Sequence, residues 1–549
     1  MPKNSLSIIE HVITSPLIRW TWSGLSDPSY ISSLVEFRPT DKETARDMIC
    51  GRYLLAGRLV GTESTSPFLV KEADEQWKRR LNNFSWLRHF SSFGDVSEKE
   101  FARILVLDWI GRNKNFNKNS WSPIITSKRV LNWLRHFLML TEGASDKEIK
   151  IISHSLGTQL QSLKIRSKFM KSPIDKIYSA MAMLGSSLVR KNKEKTILSR
   201  FSRLQVLLDE QIDENGLHLS RNAFFQFEIL SELVSLKQTL IQSNFTHQNQ
   251  LDRFIKTIDL MYLALDSLTL STGELAYFNG AGYIPTDLFV ALLAKANKEP
   301  KKSKIFSGYG ILTSNKSTLI ADAGIVPNIK FSKNAHASAL AFEFSYGSDL
   351  IVGNCGACAN SNANNNYFRL GKAHNGIVIN GFSSAKVIKR GSFANHLKAN
   401  KKLLEYKNNI TMNFDDDETT MSLVNYDFAK KFGIKLQRNF SFLKDEASLI
   451  GVDKISAINE KSTSAEIELG FHLAPNSQIF RSETGDVFYI TLQSGAKWAF
   501  LWEGADASLK KSYRHSNYFG ALPIDKIVLN SHFEKSTKEI SWIFTKQNN

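Results

Sequence analysis

Two histidines in the second half of the chain are placed where they can transfer a proton or donate to a bound anion. His336 precedes an alternating apolar run that ends at Phe344, and His374 precedes the short apolar run Gly376–Ile379. Alternation with a period of two predicts a β-strand, so each histidine is expected where a strand borders a cleft. The alternative for His336 is a structural histidine whose ring is satisfied by the backbone.

A third histidine lies in the polar segment Gly216–Asn222, between two predicted helices. This segment contains His218, Arg221 and Asn222. A guanidinium group can bind a carboxylate through two parallel N–H groups, so Arg221 is a candidate for gripping an anionic ligand. The alternative is that Asn222 caps the following helix while Arg221 is a solvated charge.

Two further segments contain side chains suited to a sugar. Arg129, Asn132 and Trp133 have the spacing of one helical face, where an indole can stack on a sugar ring and a guanidinium can meet its carboxylate. The alternative is that Trp133 belongs to the core. Asn279 lies in the glycine-rich loop 277–282, whose glycine spacing does not fit a phosphate loop.

Composition restricts the class of protein and of partner. A chain of 549 residues is too long for one ordinary core and predicts two or three domains. The formal charge of +17 favours an anionic partner, namely acidic polysaccharide, nucleic acid or anionic lipid. No nucleic-acid recognition motif accompanies the charge, so nucleic acid is not predicted as a partner.

Cysteine content and the N-terminal sequence restrict the compartment less clearly. The chain has three cysteines, Cys50, Cys355 and Cys358, which are too few for a disulfide framework. The last two have the Cys-x-x-Cys spacing but lack a second ligand pair, so neither a redox motif nor a zinc site is predicted. No secretory signal is evident in residues 1–22, and no run approaches the length of a membrane span.

The spacing of apolar residues changes along the chain. Helical spacing runs from about Ser66 to Ala296, and Ser145 with Glu148 predicts a capping box at one helix start. The polar, proline-containing segment Lys298–Lys304 is a predicted linker. Short strands with turn signals follow it, which predicts layered antiparallel sheets.

Several segments, in order, resemble the heparinase II/III family of polysaccharide lyases. They are Phe84–Arg88, Trp121–Trp133, Gly216–Asn222 and the two segments that contain His336 and His374. The resemblance implies an α+β multidomain protein, with an N-terminal α/α toroid (an incomplete helical barrel) followed by a C-terminal antiparallel β-sandwich. The expected divisions are an N-terminal extension over 1–64, the toroid over 65–300 and the sandwich over 301–549.

The family resemblance also implies a reaction. A lyase neutralises a uronate carboxylate, removes the C5 proton and protonates the departing oxygen at C4. The candidate catalytic residues are His218, Asn222, His336 and His374. The candidate substrate-binding residues are Arg129, Asn132, Trp133, Arg221 and Asn279. The implied partner is an anionic, uronate-containing polysaccharide, and the alternative is a non-catalytic relative that binds such a polymer.

The chain departs from the family pattern at two places. Where the characterised lyases have a catalytic Tyr, the sequence has Phe224 or Phe225. The positions of the family's zinc ligands fall on His336, Ser338, Asn354 and His374, so both carboxylates are replaced by neutral side chains. We therefore expect no cofactor, with His336 and His374 as the remaining candidates for zinc. The family implies the periplasm or cell envelope, and the lack of a clear signal leaves the cytoplasm as the alternative.

Overall fold

The computed structural model of this protein describes most of the chain. The described residues are 12–22, 30–63, 65–91, 95–113, 116–191, 193–243, 245–296, 304–314, 316–357, 367–387, 404–405, 410–415, 419–443, 447–458, 462–516, 520–534 and 536–547. Most of the predicted linker Lys298–Lys304 lies outside these ranges, as does Cys358. Among the described residues, no helix has the length and apolar content needed to cross a membrane.

The chain forms two compact units, and both are assembled from separate segments. The first unit comprises Met1–Asp213, Phe227–Leu260 and Pro285–Lys298. The second comprises Glu214–Gln226, Met261–Ile284 and Glu299–Asn549. The loop Gly216–Asn222 and the loop that contains Asn279 therefore group with the C-terminal residues. The predicted domain boundaries at residues 64 and 300 stay a prediction.

The N-terminal half of the chain is mainly helical. The α-helices before the sheets are Pro16–Arg19, Lys42–Ile49, Glu75–Asn83, Val96–Arg112, Lys118–Trp121, Pro123–Arg135, Phe137–Thr141, Asp146–Ser167, Pro173–Leu188, Glu194–Asp209, Ala223–Gln242, Gln248–Ser267 and Thr286–Leu293. A short hairpin of β1 (Arg52–Leu55) and β2 (Arg58–Gly61) accompanies them. The predicted capping box is confirmed, because Ser145 and Glu148 satisfy each other's backbone amides.

An aromatic cluster fills the core of the first unit. Trp133 lies edge-on to Phe84 at 5.3 Å and to Trp109 at 5.6 Å between ring centroids. Trp77 and Trp86 are buried with them. Large aromatic rings in edge-to-face contact supply much of the apolar area that a helical core must bury.

The second unit contains three antiparallel sheets and a short two-stranded ladder. Its strands are β3 (Ile305–Phe306), β4 (Tyr309–Ser314), β5 (Ser317–Asp322), β6 (Phe342–Tyr346), β7 (Asp349–Val352), β8 (Ile377–Ile379), β9 (Lys386–Val387), β10 (Leu404–Glu405), β11 (Ile410–Phe414), β12 (Thr420–Asn425), β13 (Ile434–Phe442), β14 (Ser448–Ala457), β15 (Ala465–His472), β16 (Gln478–Arg481), β17 (Val487–Thr491), β18 (Lys497–Glu503), β19 (Asp506–Ser516), β20 (Gly520–Phe533) and β21 (Lys538–Lys546). A short helix, Ala429–Phe432, precedes β13.

These strands are ordered into an eight-stranded, a five-stranded and a four-stranded sheet. The orders are β11-β12-β13-β14-β21-β18-β17-β16, β3-β4-β5-β6-β7 and β19-β20-β15-β8. Side chains from all three sheets meet in one core. Phe342 of β6 stacks on Trp542 of β21 with ring centroids 5.4 Å apart, and Phe471 of β15 contacts the same indole at 5.0 Å. The packing fixes β6 between other layers, so both faces of that strand are buried.

The start of β6 corrects one prediction that bears on His336. The strand predicted from the alternating run after His336 begins only at Phe342, so Leu340 lies outside it. Leu340 has φ of 62°, a left-handed conformation that no strand accommodates. The amide of Leu340 donates to the carbonyl of Asp322, and the amide of Asp322 donates to the carbonyl of Ala341. His336 therefore lies before a tight turn rather than directly at a strand end.

Candidate functional site

The loop before the helix Ala223–Gln242 is held by its own polar side chains. Asn222 Oδ1 accepts a hydrogen bond from the amide of Phe225 at 3.1 Å, which is helix capping. Asn222 Nδ2 donates to the carbonyl of Asn279 at 2.9 Å. The capping alternative for Asn222 is thus observed, and the same side chain connects two loops of the second unit.

Arg221 is not the solvated charge that the alternative interpretation expected. Its side chain donates to a carboxylate oxygen of Asp322 at 2.7 Å and to the carbonyls of Ser307 and Gly308 at 3.1 and 3.0 Å. Its guanidinium carbon lies 4.2 Å from the centroid of the Tyr309 ring. The residue is only 8% exposed. Its charge is therefore neutralised inside the protein, and a substrate carboxylate would have to compete with Asp322.

Asn279 connects this loop to the first histidine segment. Its Nδ2 donates to Tyr309 Oη at 2.9 Å, and its Oδ1 accepts from the amide of His336 at 3.3 Å. Tyr309 Oη in turn donates to the carbonyl of Arg221 at 2.8 Å. Burial raises the pKa of Tyr309, so its phenol stays protonated and donates. Arg221, Asn222, Asn279 and His336 are joined by one set of contacts.

His336 and His374 come together, as the sequence resemblance implies. Their ring centroids are 4.7 Å apart with an interplanar angle of 35°. They are 3% and 1% exposed, respectively. Within the described part of the chain, Nδ1 of His336 and both ring nitrogens of His374 make no hydrogen bond of normal geometry. Two buried imidazole rings in contact are the clearest chemical feature of the described part of the second unit.

Burial keeps both imidazoles neutral. It lowers the pKa of His374 to about 3, against a small opposing effect of the Phe368 carbonyl. It lowers the pKa of His336 well below the usual value, and the neighbouring His374 and Arg369 act in the same direction. A neutral imidazole has one unprotonated nitrogen that can accept a proton at physiological pH.

The residues at the family's zinc positions do not fit a zinc ion. Ser338 Oγ donates to Asp322 Oδ2 at 2.6 Å, so its hydroxyl is already used. Asn354 Oδ1 accepts from the amide of Asn375 at 3.0 Å. Across the described ranges there is no group of three or more His, Cys, Asp or Glu side chains that could hold a metal. Structural zinc is usually bound by four anionic or imidazole ligands, and of the four residues at these positions His336 and His374 supply two.

Sequence reasoning missed Glu343, a buried acidic residue in β6. Glu343 Oε1 accepts from the amide of Asn354 at 2.7 Å and lies 3.8 Å from a guanidinium nitrogen of Arg514. Burial raises the pKa of Glu343 to about 7, although Arg514 lowers it. The Arg514 guanidinium stacks on Tyr277 at 4.0 Å. A glutamate inside the apolar run of β6 was the available signal, because buried carboxylates need a partner.

His218 is fully buried and engaged within its own loop. Its Nδ1 accepts from the amide of Ser220 at 3.1 Å and contacts Ser220 Oγ at 2.8 Å. Its ring lies edge-on to Phe331 at 5.6 Å. Burial lowers the pKa of His218 to about 4. These contacts make it a residue that shapes the loop.

The three substrate-binding candidates from the helical half belong to the first unit and are buried there. Arg129 donates to Gln159 Oε1 at 2.8 Å and to the carbonyl of Ser120 at 2.7 Å. Asn132 donates to the carbonyl of Asn83 at 2.8 Å. Trp133 is part of the aromatic core. Their burial favours the structural alternative, and we leave them out of the proposed site.

Comparisons with known proteins agree with this architecture. The heparinase II/III-like C-terminal family model matches residues 298–543. A crystal structure of heparinase III superposes with a TM-score of 0.72 at 12% identity, covering 97% of this chain and 89% of that one. A mutant of the heparan sulfate lyase HepC from Pedobacter heparinus has a TM-score of 0.60 at 13% identity, covering 94% and 85%. The comparison with curated proteins gives no match.

The family model and the superpositions confirm the predicted fold class, helices first and antiparallel sheets second. At these identities the superpositions show a shared fold and do not identify the reaction. Residues 298–543 match the model of the heparinase II/III-like C-terminal domain, and the chain has the toroid and β-sandwich fold of heparinase III.

Proposed function

We propose that this protein is a polysaccharide lyase that cleaves an acidic, uronate-containing polymer by β-elimination. The observation that supports it best is the contact between His336 and His374, two buried neutral rings whose centroids are 4.7 Å apart. A β-elimination needs a group that accepts the C5 proton, and a neutral imidazole does this at physiological pH.

The proposed mechanism uses one proton and returns it. An unprotonated nitrogen of His336 takes the proton from C5, and the electron pair left behind forms the C4–C5 double bond. The bond between C4 and the glycosidic oxygen breaks with its electrons on oxygen, which then receives the proton from the imidazolium. His374 packs against the ring that becomes charged and keeps it oriented. The second N–H of the Asn222 amide is a donor for the uronate carboxylate.

The proposed substrate class rests on charge and on the fold. The chain carries a formal charge of +17, which attracts an anionic polymer. Its structural neighbours include heparinase III and a heparan sulfate lyase. We extend this to a glycosaminoglycan or similar polyuronate, and we propose the cell envelope as the place of action because family relatives work there.

An ultraviolet assay tests the proposal directly. Purified protein is incubated with heparin, heparan sulfate, hyaluronan and alginate, and the absorbance of the conjugated unsaturated uronate is followed. We expect the chromophore with one polymer, and its loss in His336→Gln and His374→Gln. His472→Gln is the matched control, because His472 is equally buried in the same unit with its ring bonded to Asn375. The control should retain most of the activity.

A second candidate function is polymer binding without cleavage. Two observations favour it. The guanidinium of Arg221 is already paired with Asp322, and Phe224 and Phe225 stand where related lyases have a Tyr. Binding to one polymer in an affinity measurement, with no chromophore on any of them, would support this function and exclude the lyase.

A further inference from the structure

We infer that Asp322 is the positioning residue of the second unit, which holds the loop Gly216–Asn222 and the His336 segment in one arrangement without a metal. The inference concerns the same histidines as the proposed function and rests on it for its catalytic meaning. Its structural part is tested separately below. Asp322 is 3% exposed and ends β5.

The first arm of this arrangement is the pair with Arg221. Asp322 Oδ1 accepts from Arg221 Nη2 at 2.7 Å and from the amide of Gly324 at 3.2 Å. Other N–H groups of the Arg221 guanidinium donate to backbone carbonyls, including that of Ile325 at 3.3 Å. A Cβ on Gly324 would lie 2.2 Å from Arg221 Nη2, so any larger residue at this position would displace the guanidinium. The loop is thereby fixed against the end of β5.

The second arm runs from Asp322 to the segment that follows His336. Asp322 Oδ2 accepts from Ser338 Oγ at 2.6 Å. The backbone of Asp322 also donates to Ala341 at 2.8 Å and accepts from Leu340 at 2.9 Å. Three contacts from one residue fix the turn in which Leu340 takes its left-handed conformation. The position of His336, two residues before Ser338, follows from this turn.

A second chain of hydrogen bonds, through Tyr309 and Asn279, also connects Arg221 to His336. The carbonyl of Arg221 accepts from Tyr309, Tyr309 accepts from Asn279, and Asn279 accepts from the amide of His336. Asp322 and Asn279 therefore hold His336 from both sides of one closed ring of contacts. Buried polar networks in which the members satisfy one another favour a single arrangement of the side chains.

The same geometry explains why no metal is needed. In the family pattern the position of Ser338 is a carboxylate that would face a cation. Here the Ser338 hydroxyl donates to the Asp322 carboxylate, which already forms an ion pair with Arg221. A second carboxylate at this position would meet Asp322 with like charge. We therefore expect Ser338→Asp to destabilise the second unit, and added zinc not to restore it.

Histidine-selective NMR of the full chain tests the inference without a substrate. The ring signals of His336 and His374 are assigned from His336→Gln and His374→Gln. Asp322→Asn removes the ion pair, and Ser338→Ala removes one hydrogen bond. We expect both to shift the His336 and His374 signals, with the larger shift for Asp322→Asn. We expect a chelator or stoichiometric zinc to leave the wild-type signals unchanged.

The matched control is Ser448→Ala, which removes a buried hydroxyl contact of 2.7 Å with Thr545 elsewhere in the same unit. It should lower the melting temperature about as much as Ser338→Ala while leaving the two histidine signals in place. Unmoved signals in Ser338→Ala and Asp322→Asn would overturn the inference, and so would shifts on adding zinc. If the signals respond as expected but no polymer is cleaved, the positioning role stands and the lyase proposal fails.

Discussion

Two buried arginines, one in each compact unit, were predicted to bind a substrate carboxylate, and their surroundings differ. Among the described residues, the partners of Arg129 in the first unit are all neutral, and they include Gln159, backbone carbonyls and the face of Trp109 at 3.9 Å. Arg221 of the second unit has a carboxylate partner, Asp322. Burial lowers the pKa of Arg129 well below its usual value, with no ion pair to oppose it.

The difference shows what an arginine in a sequence motif can and cannot indicate. Arg129 is held by neutral groups, because its guanidinium packs on an aromatic ring and donates to carbonyl oxygens. Arg221 is held by charge, and removing either partner leaves an isolated charge in the interior. Neither guanidinium is free to bind a ligand, although both segments resemble those of a polysaccharide lyase.

The largest effect is expected from separating the charged pair. Arg221→Met leaves Asp322 buried without a counter-ion, which should lower the free energy of unfolding by about 3–5 kcal/mol. Urea titration followed by hydrogen exchange of peptides from each unit measures it. Loss of protection should be confined to peptides of the second unit. A change below about 1 kcal/mol would mean that the pair is solvated.

A smaller effect is expected from the uncompensated arginine. Arg129→Met removes charged hydrogen bonds to Gln159 and Ser120 but leaves no opposite charge behind, so we expect a loss of about 2–3 kcal/mol. The same exchange experiment should report it in peptides of the helical unit. If Arg129→Met lowers the free energy of unfolding more than Arg221→Met does, the proposed difference between an arginine with neutral partners and one in an ion pair is wrong.

Acid should weaken the second unit through its buried histidines. The pKa of His218 is about 4 in the folded protein because of burial, against about 6.5 in an unfolded chain. The unfolded state then binds more protons, so this contribution is present above pH 6.5 and is lost as the pH falls towards 4. We expect about 2 kcal/mol less stability at pH 4.5 than at pH 7 from this group. Urea titrations at both pH values measure it, and His218→Gln should reduce the difference by about this amount while the contribution of His336 and His374 remains.

The smallest effect is expected at a helix end. Ser145→Ala removes the capping box of the helix Asp146–Ser167 and should cost about 1 kcal/mol. Its thermal denaturation compared with wild type gives the value. Ser145→Asp is the control, since aspartate also caps and should restore most of the stability.

The sequence predicted regular elements well and long-range partners poorly. The helical spacing predicted up to Ala296 agrees with helices through Thr286–Leu293, and the strands of the second unit begin at Ile305, directly after the predicted linker. Both kinds of element have a clear apolar period that neighbouring residues share. By contrast, Arg221 and Asp322 lie 101 residues apart, and no local pattern connects them.

The sequence indicated the histidines of the candidate site, but it did not indicate the residues that hold them in place. Asp322 directly follows the apolar run Leu319–Ala321, and this was a usable signal for a functional carboxylate. The left-handed turn at Leu340 has no such signal, because an apolar residue there reads as part of the strand. Burial of Arg129 likewise depends on tertiary packing and not on the helical spacing.

The division of the second unit along the chain has a consequence for biosynthesis. Its segments Glu214–Gln226 and Met261–Ile284 precede the remainder, which starts at Glu299. A ribosome delivers Arg221 101 residues before Asp322, so this ion pair can form only after the strand that ends at Asp322 has been synthesised. The second unit becomes complete only after synthesis of the C-terminal strands.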